Sequence, residues 1–187
     1  MEALNEQVKL GKVRYIGISN CFAWQLEKAN AIADKNGWSK FISVQNHYNL
    51  IFREEEREVV PCCKDGNVAM TPYSALASGR LVRDLTETTK RLEQDKYAKG
   101  KYDATADKDR IIIERVAEIA KKRNMTRIQV ALGWLLTKVE SPVVGATKIS
   151  HVEEAIKAVS VELTDEEIKY LEEPYVPHKL VGMMANK

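Results

Sequence analysis

The sequence predicts an α/β fold built from parallel βα units. Short apolar segments rich in β-branched residues alternate with longer segments whose apolar residues recur at helical spacing. The short segments carry few charges, which is typical of parallel strands that are buried on both faces. A chain of 187 residues is long enough to bury a sizeable core. We therefore expect one domain over residues 1–187.

The first part of the chain predicts three strands and two helices. The strands are KVRYIGIS (12–19), FISVQNHYNL (41–50) and VAMTPYSAL (68–76). Apolar residues at Phe22, Leu26, Ala29 and Ala33 predict a helix that ends at Asn36-Gly37, and residues 54–64 predict a second. The second strand ends in polar groups rather than in further apolar residues.

Residues 77–108 interrupt the alternation with Gly, mixed charges and few apolar anchors. A loop of this length is either a lid or binding loop or a disordered surface insertion, and the sequence leaves both open. Two amphipathic helices are expected next. One buries Ile112, Val116 and Ile119, and the other begins with a capping box of Thr126 and Gln129.

The end of the chain predicts a fourth strand, SPVVGAT (141–147), and two more helices. Capping boxes at Ser150–Glu153 and at Thr164–Glu167 mark their starts, and Pro174 marks the end of the last one. The turn between strand and helix carries Lys148 at the positive end of a helix dipole. Such a turn can hold an anion.

The charge balance argues against several classes of partner. The net charge is +2, with 29 basic and 27 acidic residues interleaved, so nucleic acid and anionic membrane surfaces are not expected partners. No apolar run approaches the ~20 residues of a membrane span, and the start of the chain has no apolar core of a signal peptide. The three cysteines, Cys21, Cys62 and Cys63, form no CxxC pair. They are expected to be free thiols of a cytoplasmic protein.

The carboxyl ends of parallel strands are where ligands bind in such folds. The polar residues there are Ser19-Asn20, Gln45-Asn46-His47, Tyr73-Ser74 and Gly145-Ala146-Thr147-Lys148. The histidines at 47, 151 and 178 have no metal-ligand spacing, and no nucleophile elbow, Walker loop or GxGxxG is present. These strand ends therefore offer amide and hydroxyl groups, one aromatic ring and one cationic turn. Such groups are better suited to binding a ligand with a carboxamide, a stackable ring and phosphates than to proton transfer.

Several motifs, in order, resemble the later strands of the aldo-keto reductase superfamily. They are GKVRYIGISN, SVQNHYNLIFREEEREVVP, TPYSALASGRL, VVGATKISHVEEAI and the tail ELTDEEIKYLEEPY. The nearest branch is that of the aryl-alcohol-dehydrogenase-like reductases related to potassium-channel β-subunits. The resemblance implies a (β/α)8 barrel of TIM type that binds NADP(H), with this chain as about its C-terminal four βα units.

The resemblance also assigns a cofactor-binding role to individual residues. Ser19, Asn20 and Gln45 match contacts to the nicotinamide carboxamide, and Tyr73 matches the aromatic residue that stacks under the nicotinamide ring. The pyrophosphate loop is matched by Ser74, Leu76, Ser78 and Gly79. The adenosine ribose and its 2′-phosphate are matched by Gly145, Thr147, Lys148 and His151, and the adenine-side acid by Glu154. The family often has Arg or Gln at the position of His151 and Asn at the position of Ala155. These two departures leave NAD(H) as an alternative cofactor.

No catalytic residue is assigned in this chain. The family's Asp, Tyr, Lys and His come from the first half of the barrel, and a full barrel takes ~250 residues. His47 is expected to line the substrate mouth, and Tyr73 is expected to stack rather than to transfer protons. Because Met1 matches an internal MEAL of the family, the chain is expected to be a fragment or a truncated reading frame.

Three functions follow from these observations. The first is the cofactor-binding half of an NADP(H)-dependent reductase of aldehydes or ketones. The second is a nucleotide-binding module without catalysis, and the third is an inactive truncation product. In each case the open edges of a partial barrel are expected to promote self-association.

Overall fold

The computed structural model describes residues 1–84, 87 and 94–185. The first part of the chain contains α1 (Glu2–Lys9), β1 (Ile16–Ser19), α2 (Ala23–Lys35), β2 (Phe41–Gln45), α3 (Val59–Asp65) and β3 (Ala69–Met70). The second part contains α4 (Lys96–Tyr102), α5 (Ala106–Lys122), α6 (Arg127–Leu136), α7 (Ile149–Ala158) and α8 (Asp165–Glu172). Short 3-10 turns lie at Glu54–Arg57, Ala77–Gly79, Asp103–Thr105 and Gly182–Met184.

The three strands form a parallel sheet in the order β1-β2-β3, so the predicted α/β fold with a parallel sheet is confirmed. Gly17 lets β1 approach β2 closely, because a Cβ at this position would lie 2.4 Å from Ser43 Oγ. Each strand is shorter than predicted. In β3 the cause is local, since Pro72 has no N–H and Ser74 has a φ of 61°.

The predicted fourth strand over residues 141–147 is wrong. This segment lies beside β3 and donates from Ser141 N–H to Met70 O (3.4 Å) and from Val143 N–H to Pro72 O (2.8 Å). The return bond of a parallel ladder would need an N–H at residue 72, and proline has none. The pairing is therefore limited to isolated bonds.

Two of the three predicted capping boxes mark the start of a helix. The capping boxes of Thr126 with Gln129 and of Thr164 with Glu167 are confirmed. The predicted box of Ser150 with Glu153 is wrong, because α7 begins at Ile149 with Lys148 as its N-cap. At the starts of α6 and α8 a threonine oxygen accepts the N3 amide, whereas the start of α7 has no side-chain cap.

Much of the predicted loop 77–108 is helical. Asp95 caps α4 by accepting from the Ala98 N–H at 2.9 Å, and α4 buries one face that includes Tyr102. The remainder of the predicted loop, residues 85, 86 and 88–93, lies outside the described residues. Where the chain is described, the loop therefore folds onto the body of the protein.

The core lies between the sheet and the helices that follow it. Ile112, Val116 and Ile119 of α5 are buried, as predicted, and Trp134 of α6 is fully buried. Cys21, Cys62 and Cys63 are all thiols that form no disulfide. Within the described ranges, none of the helices combines the length and apolar character that a membrane span requires.

Candidate functional site

Hydrogen bonds join the carboxyl ends of the three strands. Ser19 Oγ donates to the carbonyl oxygen of Gln45 at 2.6 Å, and Asn20 Nδ2 donates to Ser19 Oγ at 3.0 Å. Tyr73 OH then donates to Asn20 Oδ1 at 2.9 Å. Ser19, Asn20 and Tyr73 therefore lie together beside the backbone of Gln45, which is an exposed residue.

The backbone after β3 is held in an unusual conformation. Ser74, Ala77, Ser78 and Gly79 have φ values of 61°, 50°, 55° and 94°. Left-handed non-glycine residues cost free energy, and they tend to cluster at functional sites. Two contacts hold Ser74 in place: its carbonyl accepts from Asn49 Nδ2 at 2.9 Å, and its Oγ lies 2.8 Å from Tyr102 OH.

A pocket of about 710 Å³ lies next to this segment. Its volume falls in the range of small-molecule sites in proteins. It separates the turn after β3 from the segment that leads into α7. The predicted site residues in its walls are Tyr73, Ser74, Leu76, Ser78, Gly79, Gly145, Thr147 and His151.

The start of α7 presents backbone amides at the positive end of the helix dipole. Lys148 is the N-cap and makes no side-chain capping bond, and its side chain is exposed. His151 turns back so that its Nδ1 accepts from the Thr147 N–H at 3.4 Å. The structure thus brings together three of the residues that were predicted to bind a distal phosphate.

Glu154 lies outside the pocket walls. Its Oε1 accepts from Lys157 Nζ at 2.8 Å and its Oε2 accepts from Thr126 Oγ1 at 2.7 Å. The hydrogen bonds from Lys157 and Thr126 hold the pKa of the Glu154 carboxyl below its usual value. In this structure Glu154 ties α7 to the start of α6.

Two cationic residues of the pocket, Arg83 and Lys101, were not predicted from the sequence. Among the described residues, Arg83 Nη1 is buried without a hydrogen-bond partner. Gly79 makes room for this guanidinium, because a Cβ there would lie 2.6 Å from Arg83 Nη1. The basic SGRLVR segment after Tyr73 could have indicated an arginine in the site, but its spacing does not specify which arginine points inward.

Lys101 belongs to α4 and covers the ring of Tyr73. Its Nζ lies 4.4 Å from the centroid of that ring and 3.3 Å from the Tyr73 hydroxyl oxygen, to which it donates. Burial lowers the pKa of Lys101 to about 8, against the opposing effect of Asp95. The residue expected to stack a ligand ring therefore already contacts a cation.

His47 and Tyr73 are poorly suited to proton transfer near neutral pH. His47 is 1% exposed, its Nε2 lies 2.7 Å from Tyr102 OH, and it is not part of the pocket wall. Burial, followed by the charge of Lys101, lowers the pKa of His47 well below its usual value. Burial raises the pKa of Tyr73, so its hydroxyl stays protonated.

Known proteins resemble the chain over nearly its whole length. It is 46% identical over 180 residues to versiconal hemiacetal acetate reductase of Aspergillus parasiticus, covering 95% of this chain and 52% of that protein. It is 44% identical over 184 residues to a putative aryl-alcohol dehydrogenase of Schizosaccharomyces pombe, covering 97% and 52%. The chain thus spans about half the length of the curated relatives it matches.

A solved structure also resembles this chain. A thermostable aldo-keto reductase in complex with the inhibitor epalrestat superposes with a TM-score of 0.69 at 26% identity, over 92% of this chain and 53% of that one. The aldo/keto reductase family model matches residues 1–175. On this match over most of its length, the chain belongs to the aldo/keto reductase family.

Proposed function

We propose that this chain is the nicotinamide-nucleotide-binding part of an NADP(H)-dependent aldo-keto reductase. In this proposal it supplies about the C-terminal four βα units of a (β/α)8 barrel. The observation that carries the proposal is the pocket of about 710 Å³, where predicted binding residues from two separate segments meet Arg83, whose Nη1 is buried without a hydrogen-bond partner. The complete enzyme would act on an aldehyde or ketone, or on the corresponding alcohol.

The donors of the site match the parts of a dinucleotide. Asn20 and Gln45 would offer amide groups to a carboxamide beside Tyr73, and the Ser19 hydroxyl, whose hydrogen is donated to the Gln45 carbonyl, would hold Gln45 and Asn20 in position. Arg83 offers a buried N–H without a protein acceptor, and leaving such a group unsatisfied is costly. A pyrophosphate would satisfy it with a charge-assisted hydrogen bond.

The distal end of the cofactor would lie at the start of α7. Thr147 in the pocket wall and Lys148 at the N-cap of α7 would contact a phosphate there. Gly145 also lines the pocket, and a Cβ at this position would meet no atom within 4 Å. When bound, the cofactor supplies the hydride, and this chain binds and orients it. The proposal leaves catalytic proton transfer to residues outside this chain.

The names of the relatives support carbonyl or alcohol substrates for the complete enzyme. One is called a hemiacetal acetate reductase and others putative aryl-alcohol dehydrogenases. A second candidate is a nucleotide-binding module without catalysis. It is favoured by the burial of His47 outside the pocket wall and by the contact of Lys101 with the Tyr73 ring, which leave neither residue placed for proton transfer to a ligand.

The test is a titration of the 187-residue chain with NADPH and with NADH. Binding is measured by the quenching of its tryptophan fluorescence. Arg83→Met should weaken NADPH and NADH alike by about ten- to a hundredfold, because both share the pyrophosphate and a charge-assisted contact is lost. Aromatic aldehydes added with NADPH should not be reduced by the chain alone.

The matched control is Arg110→Met on the exposed face of α5, where Arg110 pairs with Glu114. This variant should bind both cofactors as the unmodified chain does. If the unmodified chain binds neither cofactor, or if Arg83→Met and Arg110→Met behave alike, the proposed function is wrong.

A further inference from the structure

The ammonium group of Lys101 is packed between two aromatic rings at the pocket. The residue is 4% exposed, and its Nζ lies 4.4 Å from the Tyr73 ring centroid and 4.5 Å from that of Tyr97. Both contacts favour the charged form of the lysine, because aromatic faces attract cations. Lys101 thus places a positive charge at the ring that was predicted to stack a nicotinamide.

The stem of Lys101 is held from the other side by the C-terminal segment. A Cβ at Gly182 would lie 2.9 Å from Lys101 Cε and 3.0 Å from Tyr97 OH, so the backbone of Gly182 packs directly on both residues. Gly182 also has a φ of 63°, which glycine adopts without strain. The lysine is therefore confined near Tyr73, and a ligand ring in the pocket has to share this space with its charge.

We propose that Lys101 makes the pocket discriminate between the oxidised and the reduced nicotinamide cofactor. This inference rests on the proposed function. The oxidised nicotinamide ring carries a positive charge and the reduced ring is neutral, so a neighbouring ammonium repels only the former. The phosphates are the same in both forms, and their attraction to Arg83 cancels in the ratio of the two affinities.

Other charged and titratable groups lie around Lys101, but they do not duplicate its effect. Asp95 on the same helical segment raises the pKa of Lys101, while burial lowers it to about 8. The low pKa of His47 keeps that ring neutral, and Tyr73 stays protonated because burial raises its pKa. Tyr97 lies on the other side of the ammonium, and Arg83 lines the same pocket.

The experiment measures dissociation constants of NADP+ and NADPH for the 187-residue chain and for two variants. Lys101→Met keeps a side chain of similar length without the charge, and Lys101→Arg keeps the charge. The unmodified chain should bind NADPH more tightly than NADP+. We expect Lys101→Met to reduce this preference by about tenfold and Lys101→Arg to retain most of it.

A second readout uses pH. Between about pH 7 and about pH 9.5 the preference of the unmodified chain for NADPH should decline as Lys101 loses its proton, and that of Lys101→Met should stay constant. A pH dependence that persists in Lys101→Met assigns the effect to another group and overturns the inference.

The outcomes separate this inference from the function on which it rests. If Lys101→Met changes both dissociation constants by the same factor, the lysine only competes for space and the inference is wrong, although the cofactor site stands. If the unmodified chain binds neither NADP+ nor NADPH, both the inference and the proposed function fail.

Discussion

Lys148 stands at the start of α7 with an exposed ammonium group. If the turn binds the 2′-phosphate of NADP(H), Lys148→Ala should weaken NADPH by about tenfold and NADH much less, because only NADPH carries this phosphate. The dissociation constants of both cofactors are measured by fluorescence quenching. Lys157→Ala on the same helix is the control, since Lys157 pairs with Glu154 away from the pocket. An equal change for NADPH and NADH would show that the turn does not recognise the 2′-phosphate.

At the scale of residues, the sequence located the strand-end side chains and missed the cations. Ser19, Asn20 and Tyr73 could be placed because each follows an apolar run, and parallel strands bring their carboxyl ends together. Arg83 and Lys101 lie in the predicted loop 77–108, where hydrophobic periodicity is too weak to orient a side chain. Their inward positions depend on Gly79 and Gly182, whose missing side chains admit them.

At the scale of elements, the C-terminal segment is attached to the body of the protein by a buried ion pair. His178 Nε2 lies 2.8 Å from Asp109 Oδ1 and its Nδ1 lies 2.5 Å from Val176 O, so both ring nitrogens face acceptors. Both can be satisfied only by a protonated ring. Burial by itself would lower the pKa of His178, but the hydrogen bond and charge of Asp109 outweigh it and raise the pKa.

This arrangement predicts a pH-dependent stability. Because the folded pKa of His178 exceeds the usual value of 6.5, its stabilisation is complete below pH 6.5 and is lost as the pH rises through the folded pKa. The free energy of unfolding, measured by urea titration, should therefore decline as the pH rises from about 6 to about 9. Asp109→Asn should cost about 3 kcal/mol at low pH, because it leaves a buried charge unpaired.

The same variant separates His178 from other titrating groups. In Asp109→Asn the decline above pH 6.5 should be much smaller, because the pKa of His178 is no longer raised. If the unmodified chain and the variant show parallel pH profiles, the ion pair does not stabilise the segment.

Element boundaries were predictable where a local rule decides them. Thr126 with Gln129 and Thr164 with Glu167 mark helix starts through side-chain oxygens that accept backbone amides. The same rule misplaced the start of α7, where the chain enters the helix at Ile149 without such a bond. The prediction of a strand over residues 141–147 was wrong for a non-local reason. The neighbouring segment after β3 carries Pro72 at the position where a backbone N–H was needed for pairing.

At the scale of the whole molecule, the α/β fold was predictable because strand and helix periodicities alternate along the chain. The extent of the sheet was not, because the predicted fourth strand makes only isolated hydrogen bonds beside β3. In the described part of the chain, β1 is an edge strand. Unpaired strand edges favour association with other chains.

An apolar stripe on α7 adds to this tendency. Ile149, Val152, Ile156 and Val159 are 79%, 47%, 65% and 73% exposed, and their spacing places them on one helix face. Exposed apolar patches of this kind mark surfaces that associate with a partner. We therefore predict that the isolated chain self-associates through β1 and α7.

Light scattering coupled to size-exclusion chromatography tests this prediction. The unmodified chain should elute with at least about twice the monomer mass at micromolar concentration. Ile156→Lys places a charge in the middle of the stripe and should shift the population towards monomer. Ile111→Lys is the matched control, because Ile111 is 50% exposed on α5, away from the stripe. A monomer with a sharp, cooperative melt would contradict the prediction, and an equal response to both variants would exclude α7 as the associating surface.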